Sequence, residues 1–452
     1  MKISIITVFP QIYDSFLKVS LVARAIEKKL IKVKFIRFSD MIESTQRIDE
    51  PTCGPGAGMI IKPDVIQKAI EKSEKEWGKA FKIFFSPQGK KLSQPMLKHL
   101  AKNILKFEDK VSSKSNISES DSHIILVCSR YEGIDDRVLK YYADLVISIG
   151  DYVVMGGDIP AQIFLEGLLR LLPGVVGKKE SVEQESFSSA FFDYPQYGLP
   201  VEWKEMKVPE MILSGNHAQI EKWRKDQAAK KTIENRFDWF ISSKPTSQEI
   251  DIAKKFIPNH YVALMHTQVL VQDGVVGNSS IASLDIHDIA RSCATYDVKN
   301  YFIVTPLKDQ QNILNSFLQF WRSDEGKEYN LSRYQAIEKV VPSLSLSVVM
   351  DYIKKKEDAD PIIISTSARF KDFENKKWID FFSQGRIFKK NRPVLILFGT
   401  GQGLCDQIIE KSDFLLQPVI GLTNYNHLSV RSAASIVLDR WLGVNFKSFF
   451  YR

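Results

Sequence analysis

Cysteine is scarce in this sequence and never clustered. The four residues, Cys53, Cys128, Cys293 and Cys405, each stand alone, so neither a disulfide framework nor a CxxC-type zinc site is expected. No structural metal is expected, and free thiols fit a reducing compartment. Long apolar runs are missing as well: no stretch of 18 apolar residues occurs, which argues against a membrane-spanning helix. The apolar opening is closed at Pro10 and is too short for a secretory h-region. The chain is therefore expected in the cytoplasm. Also absent is the phosphate-loop pattern GxxxxGK followed by Ser or Thr, which leaves a nucleotide hydrolase little support.

What is present is an ordinary globular composition, 44% hydrophobic and 26% charged, over 452 residues. At ~100–200 residues per domain, that length predicts two to four domains. The 62 Lys and Arg exceed the 54 Asp and Glu, for a net charge of +8. Such a surplus suits an anionic partner without requiring one.

Short apolar runs at 3–9, 33–38, 82–85, 124–128 and 145–149 alternate with stretches of helical period. That alternation predicts a parallel sheet covered on both faces. A polar run at 112–120 reads as a surface insertion. Residues 186–207, rich in aromatics and Pro, read as a linker or lid, and 208–241 as a small helical domain. The helix beginning near Ala218 carries Lys222, Arg224, Lys225, Lys230, Lys231 and Arg236 against Asp226 and Glu234. It is either a phosphate-contacting module or a solvated face. Residues 242–258 read as a connector, after which strand-like runs recur at 261–265, 301–304, 362–365 and 394–398. The expected division is 1–185, a linker or lid at 186–207, a basic helical domain at 208–241, a linker at 242–258, and a second α/β domain at 259–452. In both α/β parts a strand leads to a glycine turn, a helix, a strand, a second loop and a helix. Gly133 to Pro160 is 27 positions and Gly403 to Ser429 is 26, which favours a duplicated architecture.

The glycine clusters at 54–58 and 399–403 miss the dinucleotide spacing GxGxxG. A neutral cofactor held by close backbone approach remains, for which glycine-rich, proline-bounded loops are suited. Glu180, Glu183 and Glu185 crowd together downstream. Such a cluster is either solvated or, folded over the loops, a source of a general base.

Several long motifs carry a resemblance. They include Ile6-Thr7-Val8-Phe9-Pro10, Ser86-Pro87-Gln88-Gly89-Lys90, Ser129-Arg130-Tyr131-Glu132-Gly133-Ile134-Asp135 and Ser148-Ile149-Gly150-Asp151-Tyr152-Val153. Arg170-Leu171-Leu172-Pro173-Gly174 and Leu213-Ser214-Gly215-Asn216-His217 follow in order. Through them, residues 1 to about 240 resemble the bacterial tRNA (guanine-37-N1)-methyltransferases of the SPOUT superfamily. The resemblance implies an α/β fold of two parallel-sheet, SPOUT-like, trefoil-knotted domains joined by a small helical domain. It implies S-adenosylmethionine bent against Pro87, Gly89, Ser129, Glu132, Ile149, Gly150, Asp151, Tyr152, Val153, Val154, Gly156, Gly157 and Pro160. It implies a tRNA substrate contacted by Asn216, His217 and Arg224, and a homodimer. Arg170 would face guanine O6, and the carboxylate 15 positions on, Glu185, would take the N1 proton. Guanine N1 is a poor nucleophile until that proton leaves, and a positioned base is typically worth ~10²–10⁴ in rate. The family usually has aspartate at that position, glycine where Ser129 stands, and an aromatic with three glycines where this chain has Cys53-Gly54-Pro55-Gly56.

The second half resembles a less characterised SPOUT-type RNA methyltransferase domain. The resemblance rests on Ser283-Leu284-Asp285-Ile286-His287-Asp288, Phe398-Gly399-Thr400-Gly401-Gln402-Gly403-Leu404 and Leu428-Ser429-Val430-Arg431. Gly399, Gly401, Gly403, Leu404 and Ser429 would form its cofactor loop. His266 and His287 are either catalytic or partly buried packing residues. The alternative for this half, or for the whole chain, is a non-catalytic RNA-binding or dimerisation module.

Overall fold

The computed structural model describes residues 1–55, 58–111, 122–176, 185–369 and 377–444. The polar run 112–120, Gly56, Ala57, Gly177, Glu180 and Glu183 lie outside the described residues. The chain divides into two compact units, Met1–Ser188 and Ser189–Arg452.

The first unit is built on five parallel strands in the order Lys32–Arg37, Lys2–Thr7, His123–Val127, Phe81–Lys91 and Leu145–Ser148. Successive side chains of a strand point to opposite faces, and here both faces are buried. Ile3, Ile5, Ile124 and Leu126 enter one core with helix Asp158–Leu169. Ile6, Ile125 and Val127 enter the other with helix Pro63–Trp77. This is why the sequence shows continuous apolar runs rather than alternation.

The second unit carries seven parallel strands, ordered Val340–Ser343, Asn300–Val304, His260–Met265, Val394–Gly399, Ile362–Thr366, Phe414–Leu416 and Trp378–Ile379. Leaving out Val340–Ser343 and Trp378–Ile379, its strands taken in chain order lie as second, first, fourth, third, fifth. The first unit's five strands lie in that same order. The duplication read from loop spacing is therefore a duplication of sheet topology.

Residues 186–207 include buried Ala190 and Phe191, with Phe191 stacked on Phe240 at 5.9 Å between ring centroids. The aromatic content of this stretch is what seats it in the second unit's core. The expected connector 242–258 carries helix Ser247–Ala253, whose start is fixed by a reciprocal capping box between Thr246 and Glu249. The basic stretch forms helix His217–Asn235.

His260 lies buried in the second unit, between the Trp441 indole N–H donating to its Nε2 (3.0 Å) and Pro258 O accepting from Nδ1 (2.7 Å). Burial lowers its pKa from 6.5 to about 4, and burial does the same to His266. Above pH 6.5 both imidazoles are neutral whether the chain is folded or not. Below it the unfolded chain binds protons that the native one refuses until about pH 4, so stability falls as pH drops through that window. The expected loss is on the order of 3 kcal/mol per imidazole across the window. Urea midpoints of the second unit at pH 7 and pH 5 test this; equal midpoints would contradict it.

Candidate active sites at the carboxyl ends of the sheets

In open α/β sheets ligands gather beyond the carboxyl ends of the strands. In the first unit, three chain segments expected at the cofactor meet at that edge. Strand Phe81–Lys91 bulges out after Phe85 and returns, so that both Phe85 and Lys90 lie opposite Ile147. Gly89 sits in this return, and a Cβ there would lie 2.7 Å from the backbone C and N of Ile147. A Cβ at Gly156 or Gly157 would come as close to Ser129 O (2.8 Å) or Cys128 Cα (2.8 Å), and the Gly157 N–H donates to Ser129 O at 2.8 Å. Since these neighbours are backbone, none can move aside. Gly89→Ala is expected to displace the return and weaken binding of S-adenosylhomocysteine to the first unit by at least tenfold; titration with affinity unchanged would contradict this reading.

Of the other expected residues, Pro160 is buried in helix Asp158–Leu169. The Glu132 side chain lies against Gly58, and Asp151 is paired with Lys91 at 2.8 Å in solvent. Tyr152, Val153 and Met155 are exposed, Val153 at 86% and Met155 at 88%.

Arg170 and Glu185 meet. Nη1 donates to Oε1 at 2.9 Å and Nη2 to Oε2 at 2.5 Å, a bidentate pair. Gln94 Nε2 adds a third donor to Glu185 Oε1 at 3.2 Å. Gln94 is two residues beyond Leu92, whose N–H donates to Ser148 O, so the pair stands at the same sheet edge as the loops. Donation to the Glu185 carboxylate raises the Arg170 pKa further, outweighing partial burial, so the guanidinium stays charged. Glu180 and Glu183, the other carboxylates of the cluster, are outside the described residues.

The glycine turn is built twice. In the first unit Gly133 N–H donates to Arg130 O (3.2 Å); in the second, Gly403 N–H donates to Thr400 O (3.0 Å). Tyr131 and Gly133 have φ of +59° and +113°, and Gly401 and Gly403 have +60° and +104°. A left-handed residue followed two positions on by a glycine is the local signal common to both. In the second unit the turn borders a cavity of about 680 Å³ whose wall includes Ser279, Asp285, Gly399, Thr400, Gly401, Gly403, Gln417 and Ser429. Leu404, expected in the same loop, turns its side chain into the core at 1% exposure.

His266 is wholly buried behind that wall. Thr400 Oγ1 donates to Met265 O (2.9 Å) and so accepts from Ser279 Oγ (2.5 Å), whose own proton is then used. Ser279 therefore accepts from His266 Nδ1 (3.0 Å), which fixes the tautomer and leaves Nε2 an unprotonated, unpartnered nitrogen. His266 orients two wall hydroxyls rather than lining the cavity. His287 packs edge-on against Phe317 and Trp321, with centroids at 5.0 and 4.9 Å, and is a packing residue.

Residues 1–107 and 105–242 match the family model described as tRNA (Guanine-1)-methyltransferase TrmD, and 259–443 match that described as SAM-dependent RNA methyltransferase. A tRNA (guanine-N(1)-)-methyltransferase of Nitratidesulfovibrio vulgaris is 32% identical over 451 residues, covering 98% of this chain and 99% of that protein. The chain belongs to the tRNA (guanine-1)-methyltransferase family. A relative of the same name from Mycoplasma mycoides is 39% identical over 258 residues, which is 56% of this chain but 98% of that protein. The crystal structure of tRNA (m1G37) methyltransferase from Aquifex aeolicus is 31% identical, covers 49% of this chain and 87% of that one, and gives a TM-score of 0.39. Some members of the family thus lack most of the second unit that this methyltransferase carries.

The methyl donor of the tRNA (guanine-1)-methyltransferases is S-adenosylmethionine. The second unit's cavity fits a molecule of that size, since small-molecule sites run ~300–1,000 Å³. A Cβ at Gly403 would meet nothing within 4 Å, which leaves the turn open towards a ligand.

Sequence reading missed four of this methyltransferase's polar residues. Asp158, wholly buried, accepts from Thr7 Oγ1 (2.5 Å), Tyr13 OH (3.3 Å) and Arg130 Nε (3.0 Å), and pairs with Arg130 Nη2 at 2.8 Å. Burial raises the Tyr13 phenol and Cys128 thiol pKa values, so both stay protonated. Gln94, Asp285 and Arg431 were passed over because their partners lie far along the chain. Of the expected RNA contacts, Asn216 caps helix His217–Asn235, its Oδ1 accepting from Gln219 N–H (3.2 Å), and Arg224 stacks 4.7 Å over Tyr194. His217, Lys222, Lys225, Lys230 and Lys231 are exposed.

Proposed function

We propose that the first unit methylates N1 of guanosine 37 in tRNA, with Glu185 as proton acceptor and Arg170 facing O6. The observation that carries this reading is the bidentate Arg170–Glu185 pair beside the glycine-lined edge. The sulfonium donor supplies an already activated methyl, so the protein's work is alignment and deprotonation. Pro87, Gly89, Ser129, Glu132, residues 149–154, Gly156, Gly157 and Pro160 would hold it, in a knotted chain. Guanine entering the site exchanges the arginine–carboxylate contact for its own: O6 accepts from Arg170, and N1–H donates to Glu185. As the proton leaves, negative charge builds on O6, where the guanidinium stabilises it.

Residues 208–241 are read as the tRNA-binding helical domain, with Asn216, His217 and Arg224 at the RNA and the exposed lysines near phosphates. Residues 186–207 are read as an interdomain linker or lid, 242–258 as a linker, and 259–452 as a second RNA methyltransferase. The exposed Tyr152, Val153, Met155, Ile159 and Ile163 offer an apolar surface larger than scattered residues give, and support a homodimer. Free thiols and a tRNA substrate support the reading of a cytoplasmic enzyme.

The full chain, incubated with labelled donor and an unmodified tRNA transcript carrying G37, is expected to yield N1-methylguanosine at that position. No label at N1 of G37, in a correctly folded protein, would overturn the reading.

A further inference from the structure

The second unit's cavity has an acid on its wall that no part of the first unit's chemistry explains. Among the described residues that line it, Asp285 is the one carboxylate, and exposed His427 the one other titratable group. Asp285 enters from the first turn of helix Ser283–Thr295. The glycine turn and Ser429 enter from the opposite end of the unit's sequence. Arg431, at the start of helix Val430–Leu442, reaches back to both Asp285 Oδ1 and Asp288 Oδ2, each at 3.3 Å. One guanidinium thus serves two carboxylates. The more exposed Asp288 would suffice to tie the two helices together, and Asp285 is the one facing the cavity. Burial and the neighbouring Asp288 charge raise the Asp285 pKa, while Arg431 opposes them. A carboxylate with raised proton affinity beside a methyl-donor cavity is suited to general-base work.

We propose that the second unit methylates a ring nitrogen of an RNA base that carries N–H beside a carbonyl, with Asp285 accepting the proton. This rests on the reading that the cavity holds the sulfonium donor. The N–H proton passes to an Asp285 oxygen, and the ring nitrogen's electron pair forms the new N–CH₃ bond. The C–S bond breaks with its electrons left on sulfur, and S-adenosylhomocysteine departs. A lactam N–H is far more acidic than a ribose hydroxyl and so the better match for a carboxylate base, and methylation of a pyrimidine carbon calls for a thiolate nucleophile. Among the described lining residues there is no cysteine; Cys405, next to the turn, is buried in the core. A lactam N–H, made acidic by its carbonyl, matches the group that is present.

The test uses the full chain with Glu185→Gln, which suppresses transfer by the first unit, together with labelled donor and RNA from cells deleted for the gene. Nucleoside digestion should place the label on a base ring nitrogen flanked by a carbonyl. Adding Asp285→Asn should lower that transfer at least a hundredfold, with partial recovery in Asp285→Glu. S-adenosylhomocysteine should still titrate two sites per chain in the Asp285→Asn protein. Label on ribose or carbon, absence of label although two sites titrate, or transfer reduced less than threefold by Asp285→Asn would overturn the proposal. So would loss of one titratable site in Asp285→Asn, since Asp285 would then hold the donor or the fold. Transfer that survives Asp285→Asn but is lost in His427→Ala would make the histidine the acceptor. A single titratable site in the parent chain would instead overturn the donor reading beneath it.

Discussion

Glu185→Gln is expected to lower methyl transfer to tRNA by about two to four orders of magnitude while leaving affinity for S-adenosylhomocysteine unchanged. The amide keeps the shape of the carboxylate and can still accept from Arg170 through one oxygen, but it cannot take a proton from guanine N1. The loss should therefore appear in kcat and not in donor binding. Glu185→Asp separates reach from basicity. The present contacts, 2.9 and 2.5 Å to Arg170 and 3.2 Å to Gln94, are set by a side chain one methylene longer than aspartate. The shorter acid should retain part of the rate and lose the bidentate geometry. Near-normal turnover in Glu185→Gln would show that another group is the base.

Asp158→Ala is expected to destabilise the first unit by about 3–5 kcal/mol, because it leaves the largely buried Arg130 without its carboxylate and strips Thr7 of its acceptor. A chain with two units does not unfold as one, so a global melting curve is a poor measure. Hydrogen exchange in strands Lys2–Thr7 and His123–Val127, read separately from the second unit, is the appropriate measurement. Their protection should fall by two or more orders of magnitude while strand His260–Met265 is unaffected. Unchanged protection in the first unit would show that the network is not needed for its stability.

Much of the fold could be read before any coordinates, because strands buried on both faces write themselves as apolar runs. The strand expected at 124–128 is found as His123–Val127, and that at 301–304 as Asn300–Val304. Short elements escaped: the hairpin strands Thr267–Leu270 and Val276–Asn278 carry too few residues to show a period. The connector at 242–258 looked featureless because a capping box is a matter of two side chains, not of composition. At the sites, the Arg170–Glu185 pairing came from resemblance; its bidentate geometry and Gln94 did not. Asp285 lies in the 283–288 motif beside His287, and nothing in that motif distinguishes it from the neighbouring Asp288. What marks Asp285 is Arg431, 146 positions away, and no local pattern carries that contact. Asp158 was hidden in the same way, its partners Thr7 and Tyr13 lying near the other end of the unit.

If Arg170 and Glu185 meet the base as proposed, their clasp also selects it. It sets a donor face against an acceptor face, with the guanidinium offering hydrogens and the carboxylate offering lone pairs. A base that parts them must show the complementary order, an acceptor towards Arg170 and a hydrogen towards Glu185. Guanine's O6 and N1–H have that polarity. Adenine has the reverse, an amino group where the oxygen should be and a bare N1 lone pair turned towards the carboxylate. Its entry would break two charge-assisted contacts and restore neither, leaving both ions partly desolvated and opposed by like partial charges. On that reading the closed pair holds, before any RNA arrives, the mould of the purine edge it would admit.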